Sequence, residues 1–336
     1  MISKRNNMKE YQPPYTLTNR CLVLVDSIVR YATKIQDYSS FDASPKLRRD
    51  QQIQSLHSSL AIEANSLSLS QVIDVIDGKP VLGKTKDIWE VKDALAAYEQ
   101  IQKINPFSLK AFLDVHGLMT AHTVTQSGRF RNSPEGVFSG ERCVFMAPPA
   151  SQVPLLMKDL FQWLQVSKGT VHPLIQAAVF HFEMVFIHPF SDGNGRMARY
   201  WQSALLGHYN PLFFYVPVEN QIKGHQSAYY QAIAKSEKAG DSTAFIEFIL
   251  SCIADTLKPL AQNQDQILAG PATVQKLLAR MASGRFYSAK ELLKLVHLKS
   301  KASFRLHYLV PALKRGYLEY EFPKAPTSPT QRYRKR

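Results

Sequence analysis

The residues most suited to chemistry lie in one short segment, residues 188–199, with the sequence HPFSDGNGRMAR. Gly193 and Gly195 allow positive φ, so successive backbone N–H groups can turn inward and form a nest for an anion. A helix predicted to start near Arg196 and to run to Leu206 would add the unpaired N–H groups of its first turn. Together these features predict a binding site for a polyphosphate.

The side chains of the same segment could act on the bound group. Arg196 and Arg199 are three residues apart and share one helix face, which places two guanidinium groups beside the nest. Asp192 offers a carboxylate oxygen at its rim, suited to a Mg²⁺ ion that bridges phosphates. His188 could act as a base near neutral pH. The alternative, a buried structural histidine at 188, is disfavoured by the intact motif around it.

The segment resembles the signature of the Fic family, His-Pro-Phe-x-Asp/Glu-Gly-Asn-Gly-Arg-x-x-Arg, and every specified position is present. The resemblance covers roughly residues 56–257. It implies transfer of AMP from ATP, with Mg²⁺, to a Tyr, Thr or Ser hydroxyl of a target protein. It further implies that His188 is the catalytic base and Asp192 the metal ligand. The implied phosphate contacts are the backbone of Gly193, Asn194 and Gly195 and the side chains of Arg196 and Arg199.

Two further segments resemble Fic sequences outside the signature. Residues 137–145 contain two short β-prone runs around a glycine-containing tip, which predicts a hairpin. The resemblance makes this hairpin the flap that docks an extended target segment by strand addition, through Val137, Phe138, Ser139 and Gly140. Tyr229 and Tyr230 resemble the family's adenine-side helix, and the alternative is that they are ordinary helix aromatics.

An inhibitory element is the third resemblance. Many Fic enzymes carry a helix with the pattern Ser/Thr-x-x-x-Glu-Gly/Asn, and here Ser59 and Glu63 match it. Glu63 would pair with Arg199 and so remove a cation that should hold the triphosphate. Ala64 departs from the pattern, which has Gly or Asn at that position. The alternative is a plain surface glutamate.

Composition and charge predict two parts with different roles. The chain has 336 residues, is 45% apolar and 20% charged, and carries a net charge of +14. Residues 270–336 hold 15 Lys and Arg against 3 Asp and Glu, whereas the remainder is nearly neutral. We therefore predict a mainly α protein with an N-terminal helical region (1–110), a Fic-type catalytic core with a β-hairpin flap (111–257), a linker (258–269) and a basic C-terminal domain (270–336).

The basic domain resembles a winged helix-turn-helix. Residues 274–281 are predicted to be helical, Ser288 to Glu291 has the spacing of a capping box, and a third helix over 301–315 should kink at Pro311. A strand is predicted over 317–322, followed by a mobile tail over 323–336. DNA is a possible partner through Lys299, Lys301, Arg305 and His307. The alternative is packing against the body or another chain.

Membrane insertion is not predicted. The longest apolar stretch, residues 175–190, is interrupted by His181, Glu183 and His188. The N-terminal residues do not resemble a secretory signal, so we expect a cytoplasmic protein. His181 with Glu183 could suggest a metal site, but their spacing is wrong for one.

Other functions and assemblies stay open at this stage. A Fic enzyme could use a different phosphate-linked donor, or could remove AMP from a modified protein. A DNA-binding regulator with a nucleotide-sensing Fic body is a further alternative, and so is a homodimer.

Overall fold

The computed structural model describes residues 11–36, 45–139, 142–269, 272–298, 300–314, 316–323, 325–326, 328 and 330–335. The fold is mainly α, as the sequence predicts. The chain forms two compact units, Met1–Lys258 and Pro259–Arg336. Residues 258–269, predicted to be a linker, belong to a long helix that contains Pro259.

Helices make up most of the first unit. In chain order they are α1 (Asn19–Gln36), α2 (Pro45–Ile62), α3 (Leu69–Ile76), α4 (Thr85–Tyr98), α5 (Leu109–Met119), α6 (Val153–Val166), α7 (Pro173–Ile187), α8 (Asn194–Tyr209), α9 (Val218–Gly224), α10 (Gln226–Ala239) and the first part of α11 (Thr243–Ala269). Short 3₁₀ turns occupy Ala150–Gln152 and Pro211–Tyr215. The predicted hairpin is formed by the antiparallel strands β1 (Gly136–Ser139) and β2 (Arg142–Met146).

The central helix α7 is buried on nearly every side. Its first residue is Pro173, whose fixed φ suits that position, and the His172 side chain accepts a hydrogen bond from the N–H of Leu174. An apolar run of this kind forms a helix that is surrounded by protein rather than one with a solvated face. Trp201 on α8 and Phe112 on α5 pack edge to face in the same core, with 5.0 Å between their ring centroids. Because α7 is fixed in the core, the loop that follows it has a rigid support.

The end of α2, directly after Glu63, requires a residue with positive φ at position 64. The N–H of Asn65 bonds the carbonyl of Leu60 at 3.1 Å, and the N–H of Ala64 bonds that of Ala61 at 3.2 Å. This is a Schellman ending, which requires a left-handed residue, and Ala64 accordingly has φ +65°. Ala64 is therefore strained, because an alanine in this conformation costs about 1–2 kcal/mol.

Ala64→Gly should stabilise the first unit by about 0.5 kcal/mol. The substitution relieves about 1–2 kcal/mol of backbone strain in the folded state. It also lowers the stability by roughly 0.4–1 kcal/mol, because glycine has more conformational freedom than alanine in the unfolded chain. Urea unfolding of the variant would measure the change. Ala234→Gly is the matched control, because Ala234 is exposed in the interior of α10, where glycine should destabilise by roughly 0.5–1 kcal/mol. Equal losses in both variants would contradict the assignment of strain to Ala64.

The second unit combines short helices with a small sheet. Its elements, in chain order, are α12 (Ala272–Leu278), β3 (Tyr287–Ser288), α13 (Ala289–Leu295), α14 (Lys301–Phe304), α15 (Val310–Lys314), β4 (Leu318–Tyr320) and β5 (Arg332–Lys335). The predicted capping box is present, because Ser288 and Glu291 bond each other's backbone N–H groups. The strand order is β3-β5-β4, with antiparallel pairing throughout.

Two predictions for this unit were wrong. The tail is not mobile over 332–335, because these residues form the middle strand of the sheet and bury Tyr333. Instead of an α-helix kinked at Pro311, a π-helical segment, Arg305–Leu309, joins α14 to α15. Proline provides no N–H for the His307 carbonyl four residues earlier, and the Thr273 hydroxyl donates to that carbonyl at 2.7 Å instead.

The described residues contain no helix that is both long and apolar enough to cross a membrane.

Candidate active site

The histidine of the motif lies at the point where α7 ends. His188 is the left-handed cap of the helix, with φ +51°. Its Nδ1 lies 3.4 Å from the carbonyl oxygen of Val185. Since a carbonyl can only accept, Nδ1 carries the proton and Nε2 keeps its lone pair. Burial lowers the pKa of His188, and the nearby Arg131 lowers it further. His188 is therefore neutral at pH 7 and can accept a proton.

The loop between α7 and α8 is closed by the side chain of Asn194. Its amide oxygen accepts from the N–H of Phe190 at 2.9 Å, and its amide nitrogen donates to the Phe190 carbonyl at 2.7 Å. Gly193 precedes the helix with φ +86°, a conformation in which glycine is unstrained. The first N–H groups of α8 have no partners within the helix, as at any helix N-terminus. The predicted nest thus has a rigid frame.

A second histidine fixes the same loop from α5. His116 stacks on Phe190 with 3.5 Å between ring centroids. Its Nδ1 accepts from the N–H of Gly128 at 2.9 Å, so its Nε2 donates to the carbonyl of Asp192 at 3.1 Å. Burial lowers its pKa to about 4, which keeps the ring neutral. The link between His116 and the nest, 76 residues apart in the chain, has no signal in the sequence.

Both motif arginines are almost completely buried and incompletely paired. Arg196 is 3% exposed, with Nη2 3.2 Å from Asp192 Oδ1 and Nη1 3.8 Å from Glu90 Oε1. Arg199 is 1% exposed. The Nε and Nη1 atoms of Arg196 and the Nη1 atom of Arg199 have no hydrogen-bond partner among the described residues. Unpartnered N–H groups of buried cations are costly, and a bound anion would provide the missing hydrogen-bond acceptors.

The structure brings Glu63 and Arg199 together. Glu63 Oε1 accepts from Nη2 of Arg199 at 2.8 Å, and Ser59 accepts from the same guanidinium through its hydroxyl and its carbonyl, each at 3.0 Å. A Cβ at position 195 would collide with the Glu63 carboxylate. Glu63 therefore lies against the nest at Gly195 as well as on the arginine.

The end of α2 is anchored beyond Glu63 by the side chain of Asn65. The Asn65 amide donates to Glu90 Oε2 at 2.8 Å and to the Asp87 carbonyl at 3.0 Å. Glu90 also faces Arg196, so one carboxylate connects the α2 terminus with the motif. Glu90 lies on α4, and nothing in the sequence indicates its role here.

The proposed metal ligand is accessible. The Asp192 side chain is 45% exposed, and its Oδ2 lies 3.7 Å from the ammonium of Lys86. In the part of the chain that the structure describes, no group of three or more His, Cys, Asp or Glu residues could hold a metal ion. Any metal here must take most of its ligands from elsewhere.

The two tyrosines differ in access. Tyr229 is 2% exposed, and its hydroxyl lies 3.0 Å from Nε2 of His181, whose Nδ1 contacts Oε1 of Gln202 at 2.6 Å. Burial lowers the pKa of His181 to about 3. His181 is thus a neutral member of a core network in which both ring nitrogens are hydrogen-bonded. Tyr230 is 49% exposed and is the one of the pair with surface to offer a nucleotide base.

The flap is an antiparallel hairpin whose strands β1 and β2 are held together by backbone pairing. Gly136 pairs with Met146 and Ser139 with Arg142, and the register shifts between Val137 and Phe138. Gly140, predicted at the tip, lies outside the described residues. The N–H of Ala147 donates to the Glu135 carbonyl at 3.1 Å and closes the base of the hairpin. Arg131, which has no separate role in the sequence prediction, contacts both the flap base and the His188 loop.

Comparison with known proteins agrees with this geometry. Residues 106–206 match the Fic/DOC family, and residues 272–335 match the "Filamentation induced by cAMP protein Fic-like, C-terminal domain". Protein adenylyltransferase Fic of Aedes aegypti is 30% identical over 224 residues, 64% of this chain and 43% of that protein. The chain thus spans less than half the length of the curated relatives it matches. A Fic-1 structure from C. elegans, 20% identical over 73% of this chain and 72% of that chain with a TM-score of 0.56, shares the fold.

A relative that matches nearly end to end decides the family. The crystal structure of a Fic family protein from Desulfovibrio desulfuricans G20 is 39% identical, covers 97% of this chain and 98% of that chain, and has a TM-score of 0.72. With the complete motif at residues 188–199, this similarity shows that the chain belongs to the Fic family.

Proposed function

We propose that this chain is a protein adenylyltransferase that transfers AMP from ATP to a Tyr, Thr or Ser hydroxyl of a target protein or of itself. The observation that carries the proposal is the pair of buried, incompletely bonded guanidinium groups of Arg196 and Arg199 beside a nest. A neutral histidine with a free lone pair lies at the other end of the same loop. The relatives named protein adenylyltransferases support this reaction.

The reaction is a displacement at the α-phosphorus. Nε2 of His188 takes the proton of the target hydroxyl while its oxygen attacks phosphorus. The new oxygen–phosphorus bond forms as the bond to the β-phosphate oxygen breaks, and pyrophosphate leaves. General-base assistance of this kind contributes roughly 10²–10⁴-fold. Arg196, Arg199 and the N–H groups of the nest stabilise the negative charge of the triphosphate.

The residues present fit a magnesium ion bound together with ATP. Asp192 has an exposed carboxylate, and Mg²⁺ is commonly held by one or two carboxylates, with phosphate oxygens and waters completing its shell. That donor set agrees with the lack of a metal cluster among the described residues. Asp192 would hold the ion, which would supply positive charge between the phosphates. Lys86 has to move away from Oδ2, and its exposed side chain is free to do so.

Restraint by Glu63 is part of the proposal. Its carboxylate holds Arg199 and covers Gly195, so it occupies two contacts that a triphosphate needs. With Glu63 in place, ATP would bind weakly or with its α-phosphate away from His188. The position of Glu63 in the same chain as Arg199 supports restraint within one molecule.

ATP labelled at either the α- or the γ-phosphate, given to the Glu63→Gly protein so that Glu63 does not restrain transfer, tests the reaction. Adenylyl transfer places label on protein from α-labelled ATP and none from γ-labelled ATP. If only γ-labelled ATP labels the protein, the enzyme transfers a phosphoryl group and not AMP. If neither donor labels the protein, but pre-adenylylated protein loses its label on incubation, the enzyme removes AMP instead.

DNA binding by the second unit is a second candidate. Lys301 and Arg305 are exposed and four residues apart on the helix that follows the turn after α13, and His307 is exposed beside them. Lys299 lies outside the described residues. The affinity for duplex DNA is measured over a range of salt concentrations, and its logarithm is plotted against the logarithm of the salt concentration. If Lys301 and Arg305 contact phosphates, replacing both with alanine should make the slope of this plot less negative by about 2. An unchanged slope would exclude this face from DNA binding.

A further inference from the structure

Arg131 is a buried cation whose hydrogen-bond partners are backbone carbonyls. It is 2% exposed. Its Nε donates to the His188 carbonyl at 2.6 Å, its Nη1 to that of Ser133 at 2.8 Å, and its Nη2 to that of Pro148 at 2.5 Å. A longer contact of 3.4 Å joins Nη2 to the Ile187 carbonyl. The backbone N–H of Arg131 also bonds the carbonyl of Pro189 at 2.9 Å.

These carbonyls belong to two separate parts of the site. Ser133 and Pro148 lie just outside β1 and β2, so they form the base of the flap. Ile187 and His188 form the end of α7. The two parts are distant in sequence, and a single planar group holds both. The N–H of Ala147 on the Glu135 carbonyl closes the same end of the hairpin.

The chemistry of this contact requires a guanidinium. Charge-assisted hydrogen bonds are shorter and stronger than neutral ones. The planar fork of arginine directs several donors at fixed angles, whereas a lysine offers a compact ammonium on a flexible stem. A lysine at position 131 would therefore keep the charge and lose the geometry that connects the two parts.

We propose that Arg131 is a positioning residue: it fixes the base of the flap relative to His188 and so sets the distance between the docked hydroxyl and the imidazole. The inference rests on the proposed adenylyl transfer, because in that reaction the flap docks the target segment whose hydroxyl the imidazole deprotonates. It also assigns to Arg131 no contact with ATP, since its bonds go to the flap base and to the α7 end. A displacement of about 1 Å between reacting groups can cost about 100-fold in rate.

The test uses the full chain with Glu63→Gly, so that the parent is released from restraint. Arg131→Met, Arg131→Lys and the control Arg129→Met are compared in that background, because Arg129 is an exposed arginine two residues away. At saturating ATP, the maximal rate of self-adenylylation should fall about 100-fold for both Arg131 variants. The apparent KM for ATP, and its affinity by calorimetry, should stay within about threefold. Arg129→Met should match the parent.

A pH–rate profile separates positioning from general loss of structure. The charged groups that act on the His188 ring are Arg131, Glu135 and Glu63, and Arg131 lowers its pKa. In the Glu63→Gly background, Arg131→Met should move the acid limb of the profile to higher pH, whereas Arg131→Lys should leave it in place. An unfolded enzyme would show neither the retained ATP affinity nor the shifted limb.

The outcomes distinguish this inference from the proposed function. A parent that does not transfer AMP contradicts the proposed function itself. A parent that transfers AMP, together with Arg131 variants of equal maximal rate, overturns the role of Arg131 alone. Loss of ATP binding in step with loss of rate also overturns it, because Arg131 would then support the fold and not the distance between flap and base.

Discussion

Glu63→Gly should raise the rate of adenylyl transfer about 10- to 100-fold in the presence of ATP and Mg²⁺. The substitution removes the carboxylate that accepts from Arg199 at 2.8 Å and covers Gly195. Hydrogen bonds to charged groups contribute about 1.5–3 kcal/mol, and each 1.4 kcal/mol corresponds to a tenfold change. Both the guanidinium and the nest then become available to the triphosphate. Self-labelling with α-labelled ATP measures the change.

Two controls make this result specific. Glu63→Gln keeps the size of the side chain and removes its charge, so it should release the enzyme partly. Glu99→Gly changes an exposed glutamate that, like Glu63, directly follows its helix, and it should leave the rate unchanged. An unchanged rate in Glu63→Gly, with ATP binding and the melting temperature retained, would contradict the restraint.

His188→Ala in the released background should reduce transfer by at least 10²- to 10⁴-fold while ATP affinity changes by less than about threefold. The rate falls because the variant lacks the general base that takes the proton from the target hydroxyl. The affinity is retained because the nest and the two arginines come from other residues of the loop and α8. His208→Ala, which changes an exposed histidine near the far end of α8, is the control. Transfer that survives in His188→Ala would exclude this imidazole as the base.

The pH dependence follows from the environment of the same ring. Burial is the largest cause of the lowered pKa of His188. The base works when deprotonated, so the rate should fall as the pH drops through this lowered pKa. The acid limb of the pH–rate profile should therefore lie below the pH at which an ordinary imidazole titrates. An acid limb above that pH would show that a different group supplies the base.

The parts of the site that are local in sequence could be predicted. Residues 188–199 contain the proposed base, the loop and both arginines within one loop and one helix turn, and the glycines mark where the backbone must turn. The Ser288 capping box, the start of α7 at Pro173 and the hairpin are local in the same sense. In each case, a short-range rule of backbone geometry or hydrogen bonding determines the structure.

The parts that depend on distant contacts could not be predicted. Arg131 and His116 reach the loop from 57 and 76 residues away, and neither lies in a periodic pattern that would reveal the contact. The tail strand β5 is polar and basic, so its sequence does not show the apolar pattern of a buried strand. It is held in the sheet by pairing with β3 on one side and β4 on the other. The strain at Ala64 follows from the Schellman ending, which sequence composition alone does not show.

Mass spectrometry of the intact Glu63→Gly protein after incubation with ATP and Mg²⁺ would detect adenylyl transfer by the released enzyme. We expect a mass increase of one adenylyl group per modified hydroxyl, located by peptide fragmentation to Tyr, Thr or Ser. The same treatment of the Glu63→Gly, His188→Ala double variant should give unmodified protein. A phosphoryl adduct, or an unmodified Glu63→Gly protein that binds ATP, would exclude adenylyl transfer by His188 as the function of this chain.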